Sequence, residues 1–345
     1  MSIDRSAVPP RVLVTGVGGP AGLAVMKSLC VAPLSLYAAD IDPYAAGLYQ
    51  VSERARALLP PGDDPGFSDF VLALCQRERI AAVVPTVDAE LLPLAAARDA
   101  FERAGVKLVQ ASGATLQVCL DKWALHQRCA GSVRVPDTVL VDQTFDAAGP
   151  ELPAIVKPRS GSGGPGVRLI QTRPELGTLP RDGTLIVQRY LPGTQYSLDV
   201  LADAQRRVLA VVPRLRLKVD SGIAVTGRTL HDLRLELIGR QVAELIGLIG
   251  VANVQVKADR RGTPALLEVN PRFPGSMSLT VASGVDMPLL CVTEALGAIL
   301  PDGPLPFADL AMVRQLDERF FNPRELDRLE RRAQEIGRWR LEVAA

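Results

Sequence analysis

The stretch Leu267-Glu268-Val-Asn270-Pro-Arg272 sets a carboxylate, an amide and a guanidinium at alternate positions. A strand repeats every two residues, so Glu268 and Asn270 share one face and Arg272 follows nearby. A carboxylate and an amide oxygen are hard ligands, the kind that Mg²⁺ takes while it keeps waters and bridges phosphates. Upstream, Asn253-Val-Gln255-Val-Lys257 leads into the turn Asp259-Arg-Arg-Gly262. A hairpin symmetric about Arg261/Gly262 sets Gln255 directly opposite Glu268, and opposite residues share a face. Three oxygen ligands then converge: Gln255, Glu268 and Asn270. The competing reading is an exposed polar strand face.

A second constellation is Lys157-Pro-Arg-Ser160-Gly161-Ser162-Gly163-Gly164-Pro-Gly166. The lysine ends an apolar strand, and the exposed N–H groups of a glycine-rich loop wrap phosphate oxygens. No Gly-Lys-Ser/Thr closes the loop, so it is not a Walker A motif. A plain flexible hairpin is the alternative. Six of the 39 basic residues are lysines, so each lysine kept in this arginine-rich chain raises the question of why a compact ammonium is needed there. A third constellation is Gly16-x-Gly18-x-x-Ala21 between a strand and a helix, with Asp40 closing the next strand. It fits a dinucleotide site, and equally a first turn packed tightly for structural reasons.

These groups need a scaffold, and 345 residues allow two or three domains. Apolar residues at 48% provide a core built from Ala, Val and Leu, since aromatics are only 4%. The net charge of +1 argues against a nucleic-acid binder, although a local basic patch stays compatible with it. No apolar run reaches the length of a membrane span. The start is polar, without a signal-peptide core, and the five scattered cysteines form no Cys-x-x-Cys pair. Both features lead to an expected cytoplasmic location. His126 and His231 are too few for a multi-histidine metal site.

Strands at 11–15, 35–40, 81–85 and 107–109 alternate with helices at 23–29, 67–78 and 91–104, which predicts a parallel doubly wound sheet over 1–110. A helix at 113–129 then carries Lys122. Strands near 138–142, 154–157, 167–171 and 185–190 predict a small α+β lobe over 111–190. Strands at 198–202, 208–213, 251–258 and 265–270, around an amphipathic helix at 230–249, predict a larger lobe over 191–345. A last strand at 311–320 and a charged helix at 323–340 complete it.

Asp121-Lys122, Ile155-Val-Lys157-Pro with its glycine loop, Val187-Gln188-Arg-Tyr-Leu-Pro-Gly193, and Gln255 with Glu268-Val-Asn270-Pro-Arg272 occur in this order. Together they resemble the ATP-grasp superfamily, and 253–284 looks most like its carbamoyl-phosphate-synthetase branch and small amino-acid ligase relatives. The resemblance covers nearly the whole chain, including the Rossmann-like first domain. It implies α/β and α+β architecture: a Rossmann-like pre-ATP-grasp domain followed by a two-lobed ATP-grasp fold. It implies that Lys122 approaches the α-phosphate of ATP and that Lys157 bridges the α- and β-phosphates. The loop through Ser160, Gly161, Ser162, Gly163 and Gly164 would close over the triphosphate. Gln188, Arg189, Tyr190 and Leu191 would border adenine, with the backbone of 189–191 hydrogen-bonded to it. Gln195 would face the ribose, where the family usually has Glu. Gln255, Glu268 and Asn270 would hold Mg²⁺ or Mn²⁺, and Arg272, with Lys157, would act on the transferred phosphoryl group.

The activity so implied is a ligase that joins a small-molecule carboxylate to an amine through an acyl phosphate, releasing ADP and phosphate. No nucleic-acid or membrane partner is expected, and the expected assembly is a homodimer. Carboxylation or carbamoyl-phosphate chemistry through carboxyphosphate is the alternative within the class. An NAD-dependent oxidoreductase, resting on Gly16–Ala21 and Asp40, is the alternative outside it. Lys218–Ile223 with Thr226-Gly-Arg228 reads as a substrate-contact loop or an ordinary mobile one, and Arg214 and Arg216 alternate on a strand facing substrate or solvent. His231, Trp123 and His126 read as capping or packing residues.

Overall fold

The computed structural model describes residues 8–161, 164, 166–220 and 222–343. Short aliphatic runs become strands where glycine, proline or aspartate ends them. β1 (Arg11–Thr15), β2 (Ser35–Asp40), β3 (Arg56–Leu58), β4 (Ala82–Val84) and β5 (Lys107–Leu108) form a parallel sheet in the order β3-β2-β1-β4-β5. α1 (Pro20–Leu29), α2 (Phe67–Glu78), α3 (Asp88–Ala96) and α4 (Arg98–Arg103) connect them. Leu13, Phe67, Val71, Val83 and Phe101 are fully buried in the core of this sheet. The single helix expected at 91–104 is two helices that meet at Ala97.

α5 (Gly113–Leu120) and α6 (Lys122–Cys129) follow. β6 (Thr138–Leu140), β7 (Ala154–Pro158), β8 (Arg168–Ile170) and β9 (Leu185–Arg189) make a four-stranded antiparallel sheet, order β6-β9-β7-β8, with α7 (Arg173–Gly177) after β8. β10 (Gln195–Ala202), β11 (Val208–Asp220), β12 (Ile223–Thr229), β13 (Gly250–Ala258), β14 (Pro264–Asn270) and β15 (Ala311–Val313) make a six-stranded antiparallel sheet, order β14-β13-β10-β11-β12-β15. α8 (Leu233–Ile246) buries Leu235, Val242, Ala243 and Ile246 and packs on β10 and β11. The segment expected as a loop around Lys218 is instead the β11–β12 hairpin. α9 (Met277–Ala282), α10 (Met287–Ala295) and α11 (Pro323–Val343) complete the chain. Among the described residues no helix is long and apolar enough to cross a membrane.

The chain folds into two compact units, one of 1–110 with 272–301 and 314–345, the other of 111–271 with 302–313. This division differs from the expected lobes 111–190 and 191–345, because both antiparallel sheets share one unit and the C-terminal helices return to the first. Side chains distant in sequence explain the return. Within the first unit Ser28 donates to Asp286, Arg56 pairs with Glu325 at 2.8 Å, and Tyr49 stacks on Phe321 with ring centroids 4.0 Å apart.

The glycine turn of the first unit is filled by the protein itself. Gly16 adopts φ +65°, and a Cβ on Gly18 would stand 3.0 Å from the Ala45 side chain. Asp40 accepts from the Gly18 N–H at 2.7 Å and from the Asp42 N–H at 3.0 Å, so both its oxygens staple the turn. The packing explanation therefore accounts for this pattern, and the oxidoreductase alternative gains no support from it. In open α/β sheets the ligand crevice lies where strand order reverses, here between β1 and β4. Thr15 at the end of β1 donates to Glu90 on α3, and Glu90 is only 4% exposed.

Burial, aided by the charge of Asp40, pushes the Glu90 carboxyl up to about 7 from its ordinary 4.5, against the hydrogen bonds it accepts. The native state therefore holds one more proton than the unfolded chain between those values, and its stability falls as pH rises through them. Glu90→Gln removes the titration while keeping the shape. The variant should be more stable than wild type at pH 8, by up to about 3 kcal/mol, and should lose the slope between pH 5 and 7. Urea unfolding at several pH values checks this, and an unchanged slope would remove Glu90 as its source.

Candidate active site

The β13–β14 hairpin fixes the expected metal-binding face. Near its turn the partners are Ala258↔Pro264, Lys257↔Ala265 and Val256↔Leu266, which centres the turn on Arg261. A bulge then shifts the register by one residue, giving Gln255↔Glu268 and Asn253↔Asn270. The expected Gln255–Glu268 pairing is present, but it depends on the bulge at Leu267. Without that bulge Glu268 would meet Val254, and its side chain would turn to the other face. Asp259 holds the turn by accepting from the N–H groups of Arg261 and Thr263.

Lys157 is the last residue but one of β7 and is 6% exposed. Its ammonium donates to Gln188 Oε1 at 2.9 Å. Gln188 Nε2 donates to the Thr138 hydroxyl at 3.1 Å, and that hydroxyl donates to the Pro136 carbonyl at 2.8 Å. Desolvation pulls Lys157 down to about 8; Glu268 opposes this and Lys122 adds to it. Lys157 therefore feels the charges of both Lys122 and Glu268 within the second unit.

Lys122 owes its place to a break in the helix expected at 113–129. Asp121 is extended and caps α6, accepting from the N–H groups of Trp123 and Ala124. Arg159 grips the same carboxylate through Nε and Nη2, at 2.6–2.9 Å, and the Lys122 N–H donates to the Arg159 carbonyl. The root of the glycine loop is thus clamped to the start of α6, and Ser160 bridges to Asp121. Lys122 Nζ donates to the Gly161 carbonyl at 2.6 Å. Gly161 and Gly164 have φ of +107° and +88°, the left-handed region that glycine enters freely. Ser162 and Gly163 lie outside the described residues.

A buried polar network runs along the face expected to bind metal. Asp199 on β10 accepts from Arg214 Nε and Nη2 at 2.8 and 2.6 Å and from Asn253 Nδ2 at 2.7 Å. Both charged partners are almost fully buried, and Asn253 stands across from Asn270. Two residues further along β11, Arg216 is lowered by burial first and by Arg214 next, while Glu268 opposes the shift. Gln195 Nε2 donates to Gln255 Oε1 at 2.9 Å, so the expected ribose and metal residues are tied together. Glu268 thus acts on Lys157 and Arg216, Lys122 acts on Lys157, and the amides Gln255, Asn270 and Gln195 lie on strands of the same sheet as Glu268. Among the described residues no three His, Cys, Asp or Glu group together to hold a metal.

Other expected positions fare differently. The Arg189 and Tyr190 N–H groups go to the carbonyls of Asp137 and Pro153, which narrows the donors expected at 189–191 to Leu191. Lys257 lies over the Tyr190 ring, 5.2 Å from its centroid. Arg272 belongs to the first unit, where it grips Asp88 through Nε and Nη2 at 2.7 and 2.8 Å. His231 stacks on Phe307, and Trp123 stacks on His126, as packing residues do. Reading from sequence passed over Asp199, Asn253 and Thr138. A lone acid inside the apolar run Leu198–Ala202 was the one signal available for Asp199.

Two family models match the chain: "ATP-grasp in the biosynthetic pathway with Ter operon" over residues 181–318, and "PylC-like, N-terminal domain" over residues 12–109. D-alanine–D-alanine ligase of Thermotoga sp. (strain RQ2) is 27% identical over 119 residues, 33% of this chain and 39% of that protein. Carbamoyl phosphate synthase large chain of Gemmatimonas aurantiaca is 25% identical over 272 residues, 70% of this chain and 25% of that protein. The chain thus spans less than half the length of these two relatives. In solved structures, biotin carboxylase from Campylobacter jejuni has the same fold, with a TM-score of 0.71 at 16% identity over 88% of this chain and 74% of that one.

The buried pair makes a direct prediction. Asp199→Asn strands the Arg214 charge and should destabilise the protein by about 3–5 kcal/mol. Replacing both partners by apolar residues, Asp199→Leu with Arg214→Met, should recover most of that loss. Denaturant unfolding measures both, and a near-neutral single variant would contradict the network.

Proposed function

We propose that this chain, which belongs to the ATP-grasp superfamily, joins a carboxylate to an amine at the expense of ATP. The observation that carries this reading is the pairing of Gln255 with Glu268, Asn270 two residues on, beside the buried ammonium of Lys157. One carboxylate among three cations leaves a positive excess that suits a polyphosphate. The donor set, one carboxylate and two amide oxygens, fits a hard divalent cation. With so few acids these residues would hold Mg²⁺ weakly by themselves and would need oxygens from the substrate. When bound, Mg²⁺ neutralises charge on the β- and γ-phosphates and polarises the reacting phosphorus.

Lys122 and Lys157 take the α- and β-phosphates, and the glycine loop covers them. A substrate carboxylate oxygen attacks the γ-phosphorus, the bond to the β-phosphate oxygen breaks, and ADP leaves. The amine then attacks the acyl phosphate, inorganic phosphate departs, and the amine proton passes to phosphate or solvent. The protein contributes position and charge, and it must exclude water from the acyl phosphate. Arg272, two residues beyond Asn270, is the proposed contact for the transferred phosphoryl group, in exchange for Asp88. Leu191 offers its N–H to adenine, and Gln195 offers its carbonyl to a ribose hydroxyl.

The relatives support a ligase, and D-alanine–D-alanine ligase among them points to C–N bond formation. Carbamoyl phosphate synthase, matched over 70% of this chain, favours a second reading in which bicarbonate is the carboxylate and carboxyphosphate the intermediate. Bicarbonate-dependent ADP release that persists without any organic acid selects the second.

Glu268→Gln keeps size and one acceptor but removes the charge that the cation needs. If metal clamping supplies several kcal/mol, turnover should fall by a factor of order 10² or more. Nucleotide binding, measured by calorimetry, should fall less, because both lysines remain. ADP release across a Mg²⁺ titration tests this. Near-normal turnover at ordinary Mg²⁺ would dismiss the metal assignment, and AMP with pyrophosphate as products would dismiss the acyl-phosphate route.

A further inference from the structure

Gln188 was expected to lie along the nucleotide, yet both ends of its side-chain amide are committed inside the protein. Its oxygen accepts from Lys157 at 2.9 Å and its nitrogen donates to Thr138 at 3.1 Å. Gln188 is 6% exposed and Thr138 9%. Strand register brings them together: β9 lies between β6 and β7, Thr138 faces Gln188 across one ladder, and Ile155, two residues before Lys157, faces it across the other. The direction of each bond follows from the lysine. An ammonium only donates, so the amide must turn its oxygen toward it, and its NH₂ must then point at Thr138. The Thr138 hydroxyl accepts there and sends its own hydrogen to the Pro136 carbonyl. Flipping the amide would set NH₂ against NH₃⁺ in a buried site.

A carboxylate at this position would also accept from Lys157, but it would cancel the charge. A neutral amide fixes the ammonium and leaves its charge available to an anion. The other charged groups acting on Lys157 are Glu268 on β14 and Lys122 on α6, and Arg216 on β11 is linked to the same Glu268. We propose that Gln188 is a positioning residue for Lys157: the Thr138–Gln188 relay orients the ammonium toward the phosphates without neutralising it. This rests on the ATP-dependent reading of the site and adds a reason for a glutamine at this position.

The test pairs Gln188→Leu with Gln188→Glu. The protein is labelled with lysine carrying ¹³C at Cε, which gives few signals because the chain has six lysines, and Lys157 is assigned from its loss in Lys157→Arg. Without its acceptor the ammonium is less stabilised, so in Gln188→Leu the Lys157 titration should move to lower pH. In Gln188→Glu the added charge should move it to higher pH. Both variants should raise KM for ATP by about tenfold, the scale of one hydrogen bond to a charged group, with a smaller change in kcat. A merely structural glutamine would not shift the lysine in opposite directions. Should either variant fail to fold, Thr138→Val, which withdraws only the outer acceptor, should move the titration in the Gln188→Leu direction by less. A Lys157 titration that stays in place in all folded variants overturns the proposal. Wild-type protein that does not bind ATP, while the lysine still responds, overturns the ATP reading and leaves the relay standing.

Discussion

Everything around the candidate site answers one electrostatic problem, the burial of the Lys157 ammonium with, among the described residues, a neutral amide as its hydrogen-bond acceptor. A charge in that position is costly, and its depressed affinity for the proton records the cost. Nearby Lys122 makes matters worse, and Glu268 offsets it. A neutral acceptor keeps the charge in place. Such an arrangement is poorly satisfied by the protein alone, and under the proposed reading a phosphate of the nucleotide would satisfy it.

Two local devices bring the other charges to bear. The clamp of Arg159 on Asp121 ends one helix, starts the next at Lys122, and ties both to the base of the glycine loop. The bulge in β14 turns Glu268 to the face that holds Gln255 and Asn270. On the same face, Asp199 joins Arg214 to Asn253, so the strands carrying the amides are cross-linked by buried hydrogen bonds. The first unit has a different character. Its glycine turn is filled by Asp40 and Ala45, and a buried Glu90 accepts from Thr15 at the end of β1, the strand at which the order reverses.

Much of this was legible in the sequence because it follows from short-range periodicity. Strand runs ended by glycine or proline fell close to their observed limits, α2 spans the predicted 67–78, and a simple hairpin count paired Gln255 with Glu268. The count succeeded because two offsets compensate: the turn centres on Arg261, and the bulge restores the residue so lost. No local pattern announces a bulge at Leu267, since an extra aliphatic residue looks like any other strand residue. The break at Asp121 was similarly hidden, because helical periodicity continues across it and only the partner 38 residues away reveals the cap. Gln188, Asp199 and Arg214 acquire roles from strands that are neighbours in space and distant in sequence. The same holds for the return of residues 272–301 and 314–345 to the first unit, which rests on contacts such as Arg56–Glu325.

The central claim is that a carboxylate oxygen becomes bonded to the γ-phosphorus of ATP. Isotope transfer tests it most directly. A panel of amino acids and carboxylic acids is screened for ADP release, and the active acid is then prepared with ¹⁸O in both carboxylate oxygens. If an acyl phosphate forms and is opened by an amine at carbon, the inorganic phosphate released carries one ¹⁸O per turnover and the product carbonyl keeps the other. Label found in AMP, or phosphate free of label while product accumulates, would contradict the account.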